Sequence, residues 1–364
     1  MADDDYDGLP LYVEEDEAEA AAAKQKRRQQ SRKPPPPPPP PPTPEEKARK
    51  EQEEAMLEKL YEYDPKLGYG YNRIWFVGGT FDHDEETQFG PMRFTNSIIR
   101  DDHVLTDSLN VLSLKINSSD VGFPINVYGT VIVRDRLDLK CMHIFRRSRD
   151  NCQLVQSEVC CDGGSKHQGV SLILTGPSRR IAFHCEAYFE IDLKIKEDTG
   201  DSDIQFCKAL LETDVYEFES NVKTRTVASW LSEVDLILAY VKRSLEGTIE
   251  IRMLSGPEAF YGKLTACTTD VPAPIMLYDS DIDDSITLCN ERVIQLLRRV
   301  VAVSENQMLR FHVYARSGDQ NAIISHRICE FTPLIKGADK TEVTCGVYKL
   351  QIKVTWSTLL DGRR

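Results

Sequence analysis

From residue 108 onward, apolar and polar side chains alternate with a period of two. The longest run sets Cys185, Ala187, Phe189, Ile191, Leu193 and Ile195 against Glu186, Tyr188, Glu190, Asp192, Lys194 and Lys196. Successive side chains leave opposite faces of a pleated backbone, so this run specifies a half-buried strand. Shorter copies occur at Leu112/Leu114/Ile116, Val127/Gly129/Val131/Val133, Ile249/Ile251/Met253, Phe311/Val313/Ala315 and Leu350/Ile352/Val354/Trp356. Turn residues separate them at Asp162-Gly163-Gly164, Gly176-Pro177, Gly256-Pro257, Ser317-Gly318-Asp319 and Lys336-Gly337. Many short strands with frequent turns and little helix predict a mainly β protein of antiparallel, sandwich-like build.

The strand pattern is used twice. Val127-Tyr128-Gly129-Thr130-Val131 is echoed by Phe260-Tyr261-Gly262-Lys263-Leu264, 133 residues later. Leu172 and Phe189 are echoed by Ile294 and Phe311, each 122 residues later, and an Arg-Arg pair stands between them in both copies (Arg179-Arg180 and Arg298-Arg299). The second copy is shorter by 11 residues, a difference assigned to the loop 151–169. Length differences confined to loops are what a duplicated fold tolerates. Within 229–245 the spacing of Trp230, Val234, Ile237, Leu238, Val241 and Leu245 fits a helix, and Val234, Leu236, Leu238 and Tyr240 fit a strand. The β-rich neighbourhood favours the strand. The expected organisation is a first β-rich half over 108–200, a connector over 201–230, a second half over 231–358 and a disordered end at 359–364.

The leader has another character. Residues 1–65 hold 12 of the 19 prolines and none of the 10 cysteines, with 17 acidic against 10 basic residues. Residues 3–19 carry nine acids, 24–33 carry six bases, and Pro34 to Pro42 is unbroken proline. Like-charge blocks of low hydrophobicity bury too little surface to offset the entropy of ordering, so 1–43 reads as a disordered tail. The proline run is a polyproline II rod of roughly 28 Å, a spacer or a ligand for SH3-like or WW-like grooves. Lys24, Lys26, Arg27, Arg28, Arg32 and Lys33 form a nuclear-targeting or polyanion-binding patch, or else a charge block neutralised by the acids before it. Thr43, Pro44 and Glu46 then match a capping box, starting a charged helix over 44–64 that Asp64-Pro65 ends. Residues 65–107 read as an extended connector.

Composition narrows the chemistry. The formal net charge is −13, and residues 66–364 still carry −6, which makes nucleic acid an unsuitable partner for the body. No run of about 18 apolar residues exists, so no membrane-spanning helix is expected. The first residues lack secretory and transit-peptide features, placing the chain in the cytoplasm, the nucleus or both, with free thiols. Cys185, Cys267, Cys329 and Cys345 fall in or beside apolar runs and read as core residues. Cys152, Cys160 and Cys161 lie near His143, His167 and His184 without zinc-ligand spacing, so no metal site is assigned. Asp82, His83, Asp84, Glu85 and Glu86 read as a solvated loop. Asp279, Asp281, Asp283 and Asp284 invite a calcium reading that lacks a matching second loop. There is no nucleophile elbow, HExxH, Walker A or dinucleotide fingerprint, so neither cofactor nor catalytic residue is assigned.

The body, from about Tyr71 to Ser357, resembles a grass-plant family known by a domain of unknown function. The resemblance is carried by Gly79-Thr80-Phe81 through Pro91-Met92-Arg93-Phe94, Phe123 to Val131, Arg149 to Gln153 and Leu174-Thr175-Gly176-Pro177. It continues through Phe189 to Lys194, Phe260-Tyr261-Gly262, Gln295 to Val301 and Val343-Thr344-Cys345-Gly346. Occasional fusion of that domain to ribosome-inactivating N-glycosidase domains implies a setting of stress or defence. A depurinating enzyme would need a Glu-Ala-x-Arg helix. The nearest acid and guanidinium here, Glu305 and Arg310, have the wrong spacing. The expectation is therefore a non-enzymatic interaction module with an unidentified protein partner. The alternatives are an N-glycosidase-associated protein and a calcium-dependent, C2-like membrane-binding module.

Overall fold

The computed structural model of the protein describes residues 43–72, 82–93, 95, 105–156, 169–197, 203–218, 220–282, 292–317 and 320–358. The basic patch Lys24–Lys33, the proline run and Asp283-Asp284 lie outside the described residues. The described residues up to Glu51 and those from Gln52 onward fall in two separate units.

Helix α1 runs over Pro44–Leu60. Its start is the expected capping box: the Glu46 amide donates to Thr43 Oγ1 at 3.2 Å and the Thr43 amide to Glu46 Oε2 at 2.8 Å. The helix stops four residues before the expected boundary at 64. Tyr61-Glu62-Tyr63-Asp64 alternate as a strand, and β1 (Tyr61–Asp64), at the end of the supposed helix, pairs with β2 (Tyr69–Asn72), at the start of the supposed connector, as a hairpin. Asp64 anchors that hairpin. Its buried carboxylate accepts from Ser229 Oγ at 2.9 Å and from the Trp230 amide at 3.1 Å.

Two sandwiches follow. The strands of the first are β3 (Ser108–Ser119), β4 (Ile125–Arg134), β5 (Met142–Arg147), β6 (Gln153–Val155), β7 (Val170–Ser171), β8 (Ile181–Ala182), β9 (Glu186–Lys196), β10 (Asp203–Asp214), β11 (Val222–Ser229) and β12 (Ser232–Val241). The second uses β13 (Ser244–Ser255), β14 (Gly262–Thr268), β15 (Ile275–Asp279), β16 (Val300–Ser304), β17 (Leu309–Ser317), β18 (Gln320–Phe331), β19 (Gly337–Cys345) and β20 (Tyr348–Ser357). In the first half the sheets run β10-β9-β4-β5 and β11-β12-β3-β7, with β6 and β8 as short additions. In the second they run β18-β17-β14-β15 and β19-β20-β13-β16. Strand for strand these are one plan used twice.

The register agrees with the echo in the sequence. Val133 faces Phe189 across β4 and β9, and Ala266 faces Phe311 across β14 and β17, reproducing the separations of 133 and 122. The Tyr-Gly landmarks have a steric cause. Gly129 and Gly262 have φ of +122° and +150°, and a Cβ would stand 2.2 Å from Asp192 O in the first half and 1.9 Å from Tyr314 O in the second.

Two boundaries and the burial of two cysteines are corrected. Residues 201–230 are not a connector, because β10 and β11 are full strands of the first sandwich. The span 229–245 is strand, as favoured, but β12 completes the first half by pairing with β3, and the second half begins at Ser244. Cys185 is exposed and Cys329 half-buried, whereas Cys267 and Cys345 occupy the core as expected. Each half has its own core, and Leu112 and Ala239 of the first half belong to the core of the second, so an apolar seam joins them.

Candidate functional site

The seam is held by buried polar side chains. Asn110 on β3 acts as a strand rung. Its Nδ2 donates to Ala302 O at 2.8 Å, and its Oδ1 accepts from the Ala302 amide at 2.9 Å. Arg180 donates to Thr106 O at 3.0 Å and to Ser244 O at 2.6 Å. The carboxylate of Glu246 accepts from the Arg180 amide at 2.8 Å and from the Met92 amide at 2.7 Å. Arg298 reaches back from the second half, donating from Nε to Met276 O, from Nη1 to Val111 O and from Nη2 to Leu112 O, at 3.0, 2.5 and 3.2 Å. Burial pushes its guanidinium down to about 10, which still leaves it charged at neutral pH.

A cleft opens at the seam because the edge chain of each half changes sheets. In the first half the Leu172 amide bonds Leu114 O of β3, and three residues later the Thr175 amide bonds Ile144 O of β5. In the second half the Ile294 amide bonds Ile251 O of β13, and the Leu297 amide bonds Leu277 O of β15. Where the chain lifts away, the first strand loses its edge partner. Beside β3 the gap is partly filled by Arg298, leaving a groove of about 210 Å³. Beside β13 it remains a cleft of about 470 Å³, with walls from both halves.

The cleft's polar lining includes Thr175, Ser178, Thr248, Glu250, Arg299 and Lys353, with Arg298 at its base. Register sets the charge. On the outer face of one sheet Lys353 lies directly opposite Glu250 on one side and Lys340 on the other. Arg299 is exposed, without an acid in ion-pair contact among the described residues. Thr248 is 5% exposed, and its Oγ1 has no hydrogen-bond partner. Arg298-Arg299 stood out in the sequence only as half of an echo and as a family mark. Thr248, Ser178 and Lys353 carried no local signal.

The residues weighed earlier for chemistry are dispersed. Glu305 pairs with Arg243, and Arg310 pairs with Glu330 at 2.7 Å, so the acid and guanidinium considered for depurination serve two separate ion pairs. Asp279 is held by Lys263 at 2.8 Å and Asp281 by Arg316, so both already have cationic partners. The acidic segment 82–86 docks rather than floats. Arg134 donates to His83 O at 2.7 Å, Glu85 pairs with Lys140, and Glu86 pairs with Arg146 at 2.8 Å. His143 lies 3.4 Å from Glu86, and Cys152 is half-buried. Among the described residues no three metal-ligating side chains converge.

Histidines make the fold sensitive to pH. Burial is the largest cause that depresses His83, His143 and His312; Arg134 adds to it at His83, Arg146 at His143, and His326 with Arg310 at His312. A depressed histidine binds its proton more readily in the unfolded chain, so stability is full above the ordinary value of 6.5 and falls as pH drops through it. Thermal melts should therefore be flat from about pH 7 to 8 and decline below about 6.5, ahead of carboxylate titration. A midpoint unchanged down to about pH 4.5 would contradict this.

The family described as "Domain of unknown function (DUF6598)" matches residues 108–354, and the chain belongs to that family. The match covers nearly all of both sandwiches and the lining of the cleft apart from Pro91, Met92 and Thr355. No curated protein matches. Solved structures similar to the chain include Extended-Synaptotagmin 2, SMP - C2A - C2B Domains, at 9% identity and a TM-score of 0.25, covering 72% of this chain and 58% of that one. Extended-Synaptotagmin 2, C2A- and C2B-domains, matches at 10% identity and 0.23, covering 79% and 100%. Human GIVD cytosolic phospholipase A2 matches at 8% and 0.19, covering 71% and 33%. Scores this low carry no argument about this chain. No described helix is long and apolar enough to cross a membrane.

Proposed function

We propose that this chain is a non-catalytic binding module whose recognition site is the cleft at the seam of its two sandwiches. The observation that carries this reading is the 470 Å³ opening, the size of a small-molecule site, with walls contributed by both halves and buried side chains fixing those halves together. A site preorganised in this way spends little binding energy on ordering. Its described lining holds a single carboxylate, Glu250, and neither histidine nor cysteine, which favours recognition over acid–base or nucleophilic chemistry.

Ligand-observed NMR with anionic, cationic and neutral fragments tests the reading. Ser178 is exposed at the cleft wall, so Ser178→Trp fills the opening without entering a core. Fragments that bind the full chain should lose their signal with Ser178→Trp. A set of binders indifferent to that substitution, or none at all, rejects the cleft as the site.

A further inference from the structure

We infer that the cleft takes a phosphate-bearing anion, either a soluble phosphorylated molecule or the phosphorylated headgroup of a lipid. This deepens the preceding reading and rests on it. Three observations converge. Lys353 lines the cleft, and Lys340, outside the lining, stands directly opposite it on the neighbouring strand, where like charges repel and Glu250 on the other side of Lys353 offsets one of them. Arg299 adds an exposed guanidinium at the same wall, where the two-pronged geometry of an arginine matches phosphate oxygens.

The third observation is below the surface. Arg298 is fully buried and lines the cleft, yet the bonds it donates all go to backbone carbonyls, so its positive charge has dipoles around it and no carboxylate bonded to it. A buried cation of this kind is stabilised by an anion brought near it. Thr248 adds a buried hydroxyl with no partner of its own, free to donate to a phosphate oxygen. Ser178, Thr175 and Thr355 place further hydroxyls around the rim. Against these stands the carboxylate of Glu250, opposite Lys353. The balance at the cleft remains positive, whereas the whole chain carries −13, so this local positive patch is built against the overall charge. A volume of 470 Å³ exceeds what a lone inorganic ion fills and suits a phosphorylated small molecule or headgroup.

The test uses the full chain, titrated with inorganic phosphate, with inositol hexakisphosphate, and with phosphatidylcholine vesicles containing or lacking phosphatidylinositol bisphosphate. The double substitution Arg299→Glu, Lys353→Glu should weaken binding at least about tenfold. Lys336→Glu, an exposed charge reversal elsewhere, should change it less than about twofold. Thr248→Val should weaken it without altering the salt dependence. Saturation by inositol hexakisphosphate would identify a soluble ligand, and binding seen only with phosphorylated vesicles would identify a headgroup; each supports the inference if the double variant abolishes it.

Equal losses for Lys336→Glu overturn the inference, because they indicate a diffuse charge effect. Binding that survives the double variant but disappears when Lys24, Lys26, Arg27, Arg28, Arg32 and Lys33 are changed to Gln also overturns it, and moves the anion to the leader. If anions fail while neutral fragments still bind and are displaced by Ser178→Trp, only this inference falls. If nothing binds the cleft, the underlying reading falls as well.

Discussion

Arg298→Ala should lower the thermal midpoint by on the order of 10 °C and split a single unfolding transition into two. The substitution removes a side-chain donor from three carbonyls, Met276 O, Val111 O and Leu112 O, two of which belong to the other half. A buried carbonyl left unsatisfied costs roughly 1–3 kcal/mol, and Arg298→Ala leaves three of them without this donor. That is a large share of the roughly 5–15 kcal/mol that folded proteins typically possess. Lysine should not rescue: it keeps the charge but concentrates its donors at one atom, where three carbonyls from different strands need a fork. Urea unfolding read by pulse-labelled hydrogen exchange separates the halves, with β9 reporting the first and β17 the second. The wild type should show coincident curves and Arg298→Ala displaced ones. Coincident curves at an unchanged midpoint in the variant would show that the arginine does not couple the sandwiches.

The second large effect is expected at the paired glycines. Gly129→Ala and Gly262→Ala should each cost about 4 kcal/mol or more, since neither the positive φ nor the 2.2 and 1.9 Å approaches to backbone oxygens can be relieved by turning a side chain. Gly90→Ala should be nearly neutral, because a Cβ there meets nothing within 4 Å. Because the two sandwiches share one plan, the two losses should be alike in size. Chemical denaturation of all three variants measures this. A Gly262→Ala protein as stable as Gly90→Ala would mean that the β14–β17 approach is looser than described.

These glycines also explain why the duplication was legible. A Tyr-Gly pair inside an apolar strand is a rare signal, and the close backbone approach that demands it recurs in each half, so Tyr128-Gly129 and Tyr261-Gly262 set the register. Phe189 and Phe311 then fell at equivalent rungs. The alternation of β9 was equally readable, because one face of that strand is buried and the other is not.

What escaped was encoded elsewhere. Val222–Ser229 reads Val-Lys-Thr-Arg-Thr-Val-Ala-Ser, and as an edge strand it buries only its last residue, so it lacked the apolar signal of a strand. The end of α1 was misplaced because Tyr61 and Tyr63 suit either a last helical turn or a strand, and the buried anchor at Asp64 decides between them through Ser229 and Trp230, far along the chain. The cleft was not readable for the same reason. Arg298 meets carbonyls 186 and 187 residues away, and Lys340 meets Lys353 only through the register of β19 on β20. Spacing in the sequence holds no trace of such contacts. The Arg-Arg echo was itself only partial: its separation is 119, against 122 for its neighbours, and its members have different partners, Asp135 for Arg179 and backbone carbonyls for Arg298.

Hydrogen exchange of the full chain with and without saturating inositol hexakisphosphate tests the central claim most directly. The account predicts slowed exchange in peptides covering 172–180, 246–252 and 293–300, the segments that border the seam opening, with the outer strands of both sandwiches unchanged. Protection confined to residues 24–33, or spread evenly over exposed lysines and arginines, would contradict it.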